Sequence, residues 1–71
     1  MLRTITDYMT GQTYPGTDDV KELITTGNQN DFCRDMVARS LAQVRNLAFH
    51  NGMDPYVDLY EKAMRAIGVE G

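Results

Sequence analysis

Few side chains in this 71-residue chain are of types that carry chemistry: there is one cysteine, Cys33, and one histidine, His50. A thiol beside an imidazole would make a nucleophile and its base. Both residues fall on one helical stretch, roughly 25 Å apart along its axis, so within a single chain they do not meet. Cys33 reads better as a small core residue. His50 falls in the final turn, where a cation complements the helix dipole. One cysteine and one histidine cannot close a structural zinc site either. The carboxylates Asp54 and Asp58 are spaced i, i+4, but Asp54 is explained as a helix cap and Asp58 as the partner of Lys62. No Gly-rich turn is followed by Lys-Ser/Thr, so there is no phosphate loop. The expectation is a non-enzyme that holds neither metal nor cofactor.

The stretch that carries Cys33 and His50 is the one the other elements must pack on. Residues 30–51 have a helical apolar period with no Gly or Pro inside. At about 100° per residue, Phe32, Cys33, Met36, Val37, Leu41, Val44, Leu47 and Ala48 share roughly half the circumference. This arc is expected to face the core. A second apolar strip, Ala38, Ala42 and Phe49, lies beyond Arg34 and Arg45. Apolar groups on two sides imply neighbours on two sides, and in so short a chain one neighbour is expected to be a second copy. Asn28 or Asn30 can cap the start, and Gly52, after His50-Asn51, can take the left-handed stop.

The remaining elements follow from Gly and Pro punctuation. Asp54-Pro55 reads as a cap followed by proline at the first helical position. Tyr56, Tyr60, Ala63 and Ile67 then form the buried stripe of a helix that Gly68 ends. Its outer face offers two acid-first pairs, Asp58→Lys62 and Glu61→Arg65. Upstream, Thr17 or Asp18 caps a short helix, with Asp19 and Glu22 as an alternative capping box; Val20, Leu23 and Ile24 face inward, and Gly27 stops it. Tyr14-Pro15-Gly16 is a turn, and Tyr14 is read as a lid on the core ahead of an exposed contact residue. Residues 2–10 could be a strand, given four threonines between Thr4 and Thr13. With no second strand in view, a short helix opened by Thr4-Ile5-Thr6-Asp7 is preferred. The fold expected is one all-α domain, 1–71, of three to four helices built on a helical hairpin (residues 30–51 and 54–67).

Composition narrows the function classes. A single cysteine excludes an intrachain disulfide, and a domain this size is marginally stable without some aid. Packing and self-association are what is left; hence the homodimer. An apolar content of 42% with a net charge of −3 suits a folded chain. Both ends are net acidic and the middle, 28–52, is net basic, which is not the field of a non-specific DNA binder. No apolar run is long enough to span a membrane or to serve as a signal peptide. A lone thiol suits a reducing compartment, so the cytoplasm is the expected location.

Two functions fit. One is a small module that binds another protein, as a regulator or inhibitor, through Ala38, Ala42, Arg45, Phe49, Arg34 and Tyr14. Its support is the second strip and a content of four Tyr and five Met, types enriched at interfaces. The other is a helix-turn-helix DNA-binding regulator around Ala48 and Gly52. Against it, Asn51 stands at a normally apolar position and the recognition helix would open with Asp54 and Asp58, which repel phosphates. Scattered Arg34, Arg39 and Arg45 are ordinarily a solvated face, so nucleic acid is not the expected partner. Ten acids against seven bases are also too few to mimic DNA.

Overall fold

The central helical period becomes α2, Asp31–His50, in a computed structural model that describes residues 1–69. Its 20 residues span about 30 Å and account for the 35 Å long axis of the molecule. Asn30 caps it as expected, its side chain accepting from the Cys33 amide at 2.8 Å. Gly52, with φ +70°, turns the chain into α3, Asp54–Ala66. The two helices run antiparallel, because Arg45 meets Glu61 while Val37 and Ile67 meet across Gly27. α1, Thr17–Gly27, packs against both.

Helix starts differ from expectation in two places. α1 is capped by the backbone of Gly16, not by Thr17 or Asp18, because the Thr17 hydroxyl instead accepts from the Leu2 amide at 3.0 Å. α3 is preceded by Met53 as its N-cap, which puts Asp54 inside the first turn and Pro55 after it. There the Asp54 carboxylate still complements the helix dipole.

Residues 2–10 are not a helix, and the fold is accordingly mostly helical but not all-α. Three helices are joined by an antiparallel hairpin, β1 (Ile5–Asp7) with β2 (Gln12–Tyr14), in the register Ile5↔Tyr14, Thr6↔Thr13 and Asp7↔Gln12. The partner strand, Gln12–Tyr14, runs into the Tyr14-Pro15-Gly16 turn and shares Tyr14 with it. Between the strands the Gly11 amide donates to the Asp7 carbonyl at 2.7 Å, and the Asp7 carboxylate accepts from the Met9 amide at 3.0 Å. Gly11 sits at φ +72°, which a Cβ would disfavour. With strand pairing available, the threonines follow their β preference.

The core is built from Tyr14, Val20, Val37, Leu41, Ala48, Tyr56, Tyr60, Ala63 and Ile67. All of the stripe expected for α3 is there. On α2 the buried face is rotated from the expected arc. Val37, Leu41 and Ala48 are buried, Cys33, Val44 and Leu47 are half-buried, but Phe32 and Met36 are 72% and 56% exposed. The reason is that α3 covers the Ala38 side, so the core centres between the two apolar strips and the Phe32 edge is left in solvent.

The hairpin is tied down where the chain crosses itself. A Cβ on Gly16 would lie 2.5–2.6 Å from backbone atoms of Leu2, Arg3 and Thr4, closer than any side chain tolerates. The Thr17 amide donates to the Leu2 carbonyl at 2.9 Å, and the Gly16 amide to the Thr4 hydroxyl at 3.0 Å. Thr4 in turn donates to the Asp19 carboxylate. Gly16→Ala is therefore expected to cost at least about 1–3 kcal/mol, as overpacking against an unyielding backbone does. A urea titration followed by circular dichroism checks it; a wild-type midpoint would mean that the crossing opens freely.

Candidate interaction surface

Three tyrosines position the N-terminal segment on the helices. The Tyr60 hydroxyl donates to the Pro15 carbonyl at 2.7 Å, and the Tyr56 hydroxyl donates to the Arg3 carbonyl. The Tyr14 hydroxyl accepts from the Asn51 side-chain amide at 2.9 Å, and the same amide group donates to the Leu47 carbonyl. Each ring fills core volume while its polar tip satisfies a group on another element. Asn51, out of place in a helix-turn-helix, is here the partner of Tyr14. Tyr14 itself is buried, so it is the lid on the core and not a contact residue.

The other candidates divide by position. Ala38 is half-buried and packs against the core. Ala42 and Arg45 line a groove between α2 and α3 of about 330 Å³, completed by Asn46, Glu61, Met64, Arg65 and Val69. Arg45 is its hub. The guanidinium lies 5.4 Å from the centre of the Phe49 ring, reaches Glu61 at 3.5 Å and donates to the Asn46 side chain at 3.2 Å. Phe49, 58% exposed, lies beyond the groove lining, one helical turn along α2 from Arg45 and under its guanidinium. Arg34 does not line the groove; it is held by Asp31 at 2.8 Å in the first turn. Arg39 is likewise paired, with Asp35 at 3.3 Å. The structure thus brings together Ala42, Arg45 and Phe49, and leaves Arg34 and Tyr14 apart.

No family model, curated protein or solved structure matches this chain.

One electrostatic detail of the groove departs from expectation. Glu61 does not pair with Arg65 along α3 but crosses to Arg45 on α2. Arg45 also lies over the Phe49 ring and donates to Asn46, so three contacts share the cost of fixing one guanidinium. Arg65 is left at the groove rim with no ion-pair partner among the described residues. Lys62 and Asp58 do pair as expected, at 3.1 Å.

Sequence reasoning missed two further apolar exposures. Tyr8 and Met9, in the hairpin turn, are 93% and 95% exposed. Phe32 and Met36 form a separate pair at the start of α2. The signal for the first was a Tyr-Met dipeptide in a turn, where turn geometry asks for Gly, Asn, Asp or Ser. Among the described residues, no three His, Cys, Asp or Glu side chains gather as a metal site, and no helix is long and apolar enough to cross a membrane.

Tyr60 is the anchor with a pH signature. Loss of solvent, then the neighbouring Tyr56 and Tyr14, push its phenol well above the ordinary range. The folded chain therefore keeps this proton where the unfolded chain loses it. Its contribution is complete below about pH 10, the unfolded value, and drains as pH rises further. Urea denaturation at about pH 9 and about pH 11 should show stability falling across that window. Tyr60→Phe should flatten that part of the fall, while costing about 1–3 kcal/mol at neutral pH by leaving the Pro15 carbonyl without its donor. An unchanged pH slope in the variant would remove Tyr60 from this role.

Proposed function

We propose that this protein is a small non-enzymatic interaction module that self-associates as a homodimer and binds another protein as a regulator or inhibitor. The observation that carries the reading is the groove beside Phe49. It joins an apolar floor, a large exposed ring and an arginine already ordered by its neighbours, in a chain whose core is completed without them. An ordered arginine beside an aromatic is the combination found at interface hot spots, and pre-ordering lowers the entropy lost on docking. A self-associating chain of this size would also gain stability that its small core supplies sparingly.

The DNA-binding alternative gains nothing from the helix arrangement. A recognition helix must stand clear so that its first residues reach base edges. α3 lies along α2, and its exposed beginning carries Asp54 and Asp58. A gel shift at low salt, where phosphate contacts are strongest, is expected to show no complex.

Phe49→Asp tests the main reading. The ring is mostly in solvent, so helicity should be retained. Self-association at about 50 µM, read by size exclusion with light scattering, and capture of partners by tagged protein should both be lost. Unfolding of the variant would assign Phe49 to the core; unchanged binding would remove the groove from the interface.

A further inference from the structure

The hairpin tip and the groove are complementary. Tyr8 and Met9 are held out by a turn that is fixed at both ends, through the Asp7 carboxylate on the Met9 amide and the Gly11 amide on the Asp7 carbonyl. The strands below them stand largely in solvent, and Ile5 is itself 40% exposed. A two-stranded hairpin is at best marginal in water unless something packs on it. Here the base is anchored by the Tyr56 and Tyr60 hydroxyls on the Arg3 and Pro15 carbonyls, and the tip is an arm whose two apolar side chains stand almost wholly in solvent. The tip therefore presents an apolar pair preceded by an acid.

The groove presents the reverse. Its floor is Ala42, Met64 and Val69, and its rim carries Arg65, left unpaired among the described residues because Glu61 crosses to Arg45. At about 330 Å³ it is at the small end for a ligand cleft and suited to one or two side chains.

We infer that the groove is the seat for the hairpin tip of a second copy of this chain. Tyr8 and Met9 of one copy cover the apolar floor of the other, and Asp7 faces Arg65. Each copy has one arm and one groove, and the proposed arrangement is the reciprocal one, in which two copies exchange arms about a two-fold axis. The inference rests on the reading of the groove as an interaction surface and adds its occupant. Phe32 and Met36 lie outside it.

Sedimentation equilibrium on the full chain, from about 5 µM to about 500 µM, tests it with five variants. Wild type is expected to reach twice 8.0 kDa and stop there. Replacing Tyr8 and Met9 together by Ser should weaken the dimer at least about tenfold with helicity unchanged, since neither side chain packs in the fold. Asp7→Arg and Arg65→Asp should each weaken it, and an equimolar mixture or the double variant should recover part of the loss; added salt should erode the same pair. Asp7 also holds the turn, so recovery in the double variant is the outcome that separates charge pairing from a damaged hairpin. A dimer that Phe49→Asp disrupts but the Tyr8/Met9 double change leaves intact overturns this docking while the groove reading stands. A wild type that stays at 8.0 kDa overturns the inference and the self-association together, leaving capture of a different protein as the test of the groove. A mass that grows without limit overturns the closed exchange.

Discussion

The structure depends on one backbone crossing. At Pro15-Gly16 the chain passes against Leu2, Arg3 and Thr4 with no room for a side chain, and the Tyr60 hydroxyl reaches out of the core to hold the Pro15 carbonyl. Polar groups sit at this crossing because two extended backbone segments meet where water is partly excluded, and buried carbonyls and amides must find donors and acceptors. Leu2, Thr4 and Thr17 supply some of them locally, and Tyr56 and Tyr60 supply the rest from α3. The crossing fixes the direction of the hairpin, and with it the position of Tyr14 over Asn51.

Tyrosine suits this task for a physical reason. A domain of this size has little interior, so each large side chain has to pack and also satisfy polar atoms. Tyr60 has no exposed surface, yet its hydroxyl ends on a loop carbonyl. A phenylalanine would fill the same volume and orphan that carbonyl. The cost of the arrangement is chemical: a buried phenol must stay protonated, and its neighbours are two more phenols.

The surface follows from what the core leaves over. α2 has apolar residues around more of its circumference than α1 and α3 can cover, and the structure resolves the excess unevenly. α3 takes Ala38 and part of Ala42, Arg45 shelters one face of Phe49, and Phe32 and Met36 are left in water. The choice Glu61 makes between Arg45 and Arg65 is then decisive for the groove's charge. Pair energies on a surface are small, and Arg45 is the guanidinium with further contacts, Phe49 and Asn46, to share the freedom lost. Among the described residues the groove is left with one paired arginine, Arg45, and one without an ion-pair partner, Arg65.

The helices were legible because their signals are local and redundant. Asn30 caps, Gly52 turns, and Tyr56, Tyr60, Ala63 and Ile67 repeat at the helical period. Those features depend on spacing along the chain alone, and the amino-acid order determined them. The strands were not legible, since three residues are too few to establish a period of two, and Thr4–Asp7 satisfies a helix start as well as a strand. Only pairing with Gln12–Tyr14 decides between them, and that pairing depends on the crossing at Gly16. The rotation of α2 and the partner of Glu61 were likewise beyond reach, because both depend on which side α3 lies. Sequence settled α1, α2 and α3 and which α3 residues are core, while its preference for a helix over residues 2–10 gave way to the hairpin. Tertiary structure decided which α2 edge is wet, because burial is a property of neighbours, not of spacing along the chain.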